Sequence, residues 1–109
     1  MTGYDVKMYK FEDNISFIRD ALETVPSLVE VSHYRGVEYV ELPFSFDIET
    51  SSWYNLNNEK RGCMYCWQVG LNGRWLLGRT WKEFHDFINN LITILNLNLD
   101  RRIICWVHN

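Results

Sequence analysis

The stretch from Thr80 to Val107 limits the possible folds more than any other, because it runs from a helix into an apolar strand. Thr80 and Glu83 have the spacing of a capping box, in which hydroxyl and carboxylate each satisfy a free backbone N–H at a helix start. Phe84, Phe87, Ile88, Leu91, Ile92 and Leu95 then recur at helical spacing and predict a helix to about Leu97. His85 falls off that stripe, on the solvated side. Asp100-Arg101-Arg102 reads as a solvated junction. Ile103 to Val107 is continuously apolar, as expected of a strand covered on both faces. A helix that returns the chain to such a strand makes a crossover, and the strand it reaches lies parallel to an earlier one.

Upstream, Asn72-Gly73 supplies a two-residue type I′ turn, so Cys63 to Leu71 and Arg74 to Gly78 form a hairpin. Before it stands Pro43 to Ser52, where Phe44, Phe46 and Ile48 alternate with Ser45, Asp47 and Glu49. This period of two marks a strand with an apolar face, expected to pack into a core, and an acidic one. Asp47 and Glu49 are two apart, so their carboxylates leave the same face, roughly 6–7 Å apart along the backbone. A hard divalent cation such as Mg²⁺ or Mn²⁺ would neutralise both. By itself the pair also fits an edge strand with two solvated acids. Ser51 to Arg61 is polar and reads as a loop, with Trp53 and Tyr54 at its start. Trp67, Trp75, Trp81 and Trp106 fall on strands or a helix start and read as core or edge packing.

The first third is less legible. Val6, Met8 and Phe11 suggest a short strand, and Asp13 or Asn14 can cap a helix from about Ile15 to Thr24. Its stripe is Ile15, Ile18 and Leu22, and Pro26 stops it. Leu28 to Leu42 alternates around Tyr34-Arg35-Gly36 as a hairpin. Residues 1–42 therefore read as a small α+β extension and 43–109 as the main fold.

With 109 residues the chain fits one small domain. A net charge of −3 argues against a free-standing basic nucleic-acid binder. No apolar run reaches the ~18–20 residues of a membrane span, and the polar N-terminus does not read as a signal peptide. Three cysteines without such a signal fit a reducing cytoplasm. Cys63 and Cys66 lack a second ligand pair for zinc.

The order from residue 43 onward is acidic strand, strand, strand, helix, parallel fourth strand. That is the opening of an α/β ribonuclease H-like fold, in which the ends of the first and fourth strands meet at the metal site. Phe46-Asp47-Ile48-Glu49-Thr50 resembles the first motif of proofreading 3′–5′ exonucleases, and Val107-His108-Asn109 resembles the start of their second. Trp67-Gln68-Val69-Gly70 and Gly78-Arg79-Thr80-Trp81-Lys82-Glu83-Phe84 are similar to the linking segment in protein-primed family B DNA polymerases of phages and plasmids. The resemblance implies a two-metal phosphodiester hydrolase acting on 3′ ends of single-stranded DNA. It makes Asp47 and Glu49 the catalytic, metal-ligating acids, and places Thr50, His108 and Asn109 against the DNA. It implies as partners the remainder of the polymerase and a terminal priming protein, in the cytoplasm of a bacterial or phage-infected cell. The family's second-motif Asp and its third motif, with a Tyr and an Asp, are missing from this sequence. The chain therefore reads as the first piece of a longer polymerase, with an incomplete metal site and no activity alone. Its final strand would then lie exposed.

Two other readings use the same residues. One is a non-catalytic ribonuclease H-like remnant that binds protein or DNA. The other is a glycosidase strand ending in Asp-x-Glu, which would need a barrel of ~250 residues.

Overall fold

The computed structural model describes residues 8–23, 29–54 and 56–107, and for 50–54 and 60–65 the backbone course alone. It is an α/β fold with mixed sheets and two helices. A five-stranded sheet contains β1 (Met8–Lys10), β4 (Phe44–Tyr54), β5 (Lys60–Leu71), β6 (Arg74–Gly78) and β8 (Trp106–Val107), in the order β1-β6-β5-β4-β8. A smaller sheet orders β2 (Val31–Tyr34), β3 (Val37–Val40) and β7 (Arg101–Arg102). Two helices, α1 (Asn14–Leu22) and α2 (Trp81–Leu95), pack against each other and on one face of the larger sheet.

The hairpin turns have the expected cause. Asn72 and Gly73 take φ of 49° and 84°, and Arg35 and Gly36 take 51° and 81°. Positive φ at both central positions is the type I′ geometry that matches strand twist. The Asn72 side chain also donates to Ala21 O at 2.7 Å, fastening the β5–β6 turn to the end of α1.

Thr80 caps α2 as its sequence requires. Its Oγ1 accepts from Glu83 N at 3.1 Å, while Glu83 Oε1 accepts from Thr80 N at 3.1 Å and from Arg79 N at 2.8 Å. The helix stops at Leu95, two residues short of expectation, because Asn96 turns left-handed at φ 56°. Leu97 N then donates to Ile92 O at 2.9 Å, a Schellman-type closure. Thr80→Ala removes one of these partners and should cost about 1 kcal/mol, lowering the melting midpoint by about 4 °C. A midpoint equal to wild type would show that the cap contributes nothing.

The buried face of α1 departs from the expected stripe. Ile15 is exposed, whereas Asn14, Phe17, Ile18, Ala21 and Leu22 are buried, a spacing of i, i+3, i+4, i+7, i+8. The larger Phe17 ring takes the core position, 6.0 Å from Phe87. A buried asparagine is tolerable because its polar atoms are met: Asn14 Nδ2 donates to Phe11 O at 3.0 Å and Oδ1 accepts from Asn90 Nδ2 at 2.6 Å. Glu23, left-handed at φ 55°, ends the helix. Val6, Thr24 and Pro26 lie outside the described residues. β1 pairs in parallel with β6, so residues 8–22 share the main sheet and core.

Three further expectations change. The polar stretch 51–61 is mostly strand: β4 runs through Trp53 to Tyr54 and pairs with Lys60 to Met64 beyond a register shift. β6 already ends at Gly78, opposite Trp67, so this distal part of β4 and β5 is a two-stranded ribbon. Its polar sequence follows from having no further strand to pack beside. Arg101 is no solvated junction. Half-buried, it pairs with Glu38 at 2.9 Å and donates from Nε to Leu95 O at 2.8 Å, holding β7 against β3 and the end of α2.

The apolar run before His108 is the third. Only Trp106 and Val107 are paired, and Ile104, Trp106 and Val107 are exposed where cover on both faces was expected. α2 packs over β4 to β6 through Phe84 and Phe87 and leaves β8 at the sheet edge.

Candidate functional site

Asp47 and Glu49 reach their positions through the register of β4. Phe44 is buried against Phe87 at 6.4 Å, and Phe46 packs on Phe84 at 4.7 Å and Trp81 at 6.4 Å. These contacts pin one face of β4 to α2. Alternation then turns Ser45, Asp47 and Glu49 to the face away from the helices. The apolar face is not buried throughout: Ile48 is 38% exposed, because α2 begins level with Phe46 and does not cover the strand beyond it.

Glu49 is exposed and Asp47 half-buried, so neither acid is enclosed. Asp47 Oδ1 accepts from Ile48 N at 2.9 Å, an interaction that orients the carboxylate from its own strand. Asp47 stands opposite Gln68, and Glu49 opposite Cys66. Immediately after Glu49 the register slips: Thr50 pairs with Met64, and Tyr65 is the extra residue of a bulge on β5. Bulges bend and twist a strand pair locally, which here happens directly beside the acids.

β8 runs parallel to β4, with Trp106 beside Ser45 and Val107 beside Phe46. Its chain direction therefore leads toward the level of Asp47. His108 and Asn109, both expected at the DNA, lie outside the described residues, as does the side chain of Thr50. His85 is exposed on α2, with Nδ1 3.3 Å from Asn89 Nδ2. Among the described residues no three His, Cys, Asp or Glu side chains gather as a metal-binding group. Among them, too, no helix is long and apolar enough to cross a membrane.

Sequence reasoning passed over the neighbours of the acid pair on the same face. One cross-strand row holds Trp75, Gly70, Ser45 and Trp106, and the next holds Lys10, Leu77, Gln68 and Asp47. The Gly70–Trp75 pairing follows from the Asn72-Gly73 turn, so that part was readable. The pairing of β4 with β5 has no such local signal.

No protein-family model, curated protein or solved structure matches this chain.

Proposed function

We propose that this chain is the first part of a ribonuclease H-like 3′–5′ proofreading exonuclease domain, within a phage- or plasmid-type family B DNA polymerase working in the cytoplasm of a bacterial or phage-infected cell. The observation that carries the reading is the parallel pairing of β8 with β4, reached through α2 from the hairpin β5–β6. The resulting order β6-β5-β4-β8 is the one in which such a sheet opens, and it directs both strands toward the acid pair. The topology agrees with four sequence resemblances that do not depend on it.

The donor set fits the metals the reading requires. Asp47 and Glu49 offer hard carboxylate oxygens from one strand face, accessible to solvent, as suits Mg²⁺ or Mn²⁺. When bound, such ions supply Lewis acidity for hydrolysis of a phosphodiester at a DNA 3′ end. Asp47 and Glu49 hold the ions. Thr50, His108 and Asn109 would hold the terminal nucleotides of the single strand, and the rest of the polymerase and a terminal priming protein complete the assembly. Two ions need more carboxylates than one pair supplies, which is why further acids from the polymerase belong to this reading.

A Mn²⁺ titration of the 109-residue chain, followed by the electron paramagnetic resonance of free ion, tests the pair. Weak uptake is expected, lost in Asp47→Ala/Glu49→Ala, together with no digestion of a labelled single-stranded oligonucleotide. Uptake unchanged in the double variant would favour a non-catalytic remnant. Robust digestion by the wild-type chain would contradict the need for further carboxylates.

A further inference from the structure

We propose that the helix-free face of the larger sheet, between Trp75 and Trp106, stacks an unpaired nucleobase of single-stranded DNA. The proposal rests on the exonuclease reading and names a subsite beside its acid pair.

The row Trp75–Gly70–Ser45–Trp106 crosses four neighbouring strands on the face that carries Asp47. At ~4.8 Å per strand, the two tryptophan backbones stand roughly 14 Å apart. Between them Gly70 has no side chain and Ser45 a short one. The Trp75 ring occupies part of this space by lying over Gly70: a Cβ built there would meet ring atoms at 3.1 Å. The remainder is a shallow cleft of about 200 Å³, bounded by Trp75 on one side and Trp106 on the other. Trp106 is 68% exposed, an apolar ring left available on a sheet edge.

The next row decides the kind of occupant. Lys10, Gln68 and Asp47 lie there, so the cleft does not continue into an apolar surface of the sort a packed protein partner covers. Lys10 also lines a second hollow of about 250 Å³ together with Arg79. Its Glu83 is engaged by the backbone N–H groups of Arg79 and Thr80. Flat aromatic platforms with cations nearby are how proteins hold unpaired strands, rings for the bases and cations for the phosphates. Ser45 is one alternation from Asp47, about 6–7 Å along β4, so a base seated beside it adjoins the site of hydrolysis.

The test is the affinity of the 109-residue chain for a fluorescein-labelled oligothymidylate, read by anisotropy at low salt with Mg²⁺ present. Trp106→Leu should weaken binding about tenfold, and Trp106→Phe should stay close to wild type, since a ring remains. An abasic oligonucleotide should bind wild type as weakly as the intact one binds Trp106→Leu. Asp47→Ala/Glu49→Ala should bind at least as well as wild type. Because Trp106 is exposed, circular dichroism should show all variants folded. No binding by folded wild type, equal affinity of Trp106→Leu, or equal affinity for the abasic strand would each overturn the proposal. Ring-dependent binding alongside 3′ trimming that survives Asp47→Ala would keep this subsite and reject the exonuclease reading.

Discussion

Gly78→Ala should destabilise the domain by about 3–5 kcal/mol, although it adds one methyl group. A Cβ at this position would sit 2.0 Å from Trp67 Cζ2 and 2.2 Å from Cε2, well inside contact distance. The indole cannot give way cheaply. It is fully buried, lies 5.3 Å from Phe84 and 6.1 Å from Phe87 across the sheet–helix interface, and donates from Nε1 to Thr80 O at 2.8 Å. Overpacking a tight core costs roughly 1–3 kcal/mol, and leaving a buried donor or acceptor unmet adds about 1–3 more. Against a total stability of about 5–15 kcal/mol, that loss is large enough to leave much of the chain unfolded. Urea denaturation monitored by tryptophan fluorescence measures it. A shift worth less than 1 kcal/mol would mean that β6 and α2 separate easily, contrary to the packing described.

Much of this architecture was legible because local chemistry fixed it. The type I′ turn at Asn72-Gly73 and the capping box at Thr80 and Glu83 each specify backbone geometry within four residues, and both formed as read. The parallel return of β8 followed from the crossover rule once the helix and the apolar run were recognised. Boundaries set by tertiary partners were less legible. Nothing in Ser51 to Tyr54 signals a strand, since the ribbon is held by backbone pairing beyond a bulge rather than by an apolar face. Ile15 and Phe17 compete for the core side of α1, and only the position of Phe87 decides between them. Arg101 looked solvated until Glu38 and the Leu95 carbonyl were brought to it. At the candidate site the acid pair was readable from alternation alone. The row of Trp75, Gly70, Ser45 and Trp106 needed a three-strand register.

The central claim is that Asp47 and Glu49 hold the metals of a proofreading exonuclease. Its direct measurement is 3′–5′ digestion of a labelled single-stranded oligonucleotide by the polymerase chain that contains residues 1–109. Charge stabilisation by bound ions contributes several kcal/mol to such hydrolysis, and each ~1.4 kcal/mol is tenfold in rate. Asp47→Ala/Glu49→Ala should therefore slow digestion about a thousandfold or more. Both side chains leave the solvent-accessible face of β4, away from the aromatic contacts that Phe44 and Phe46 make with α2. The fold should survive, and nucleotide addition measured on the same preparation should match wild type. A double variant that trims 3′ ends at the wild-type rate would contradict the account.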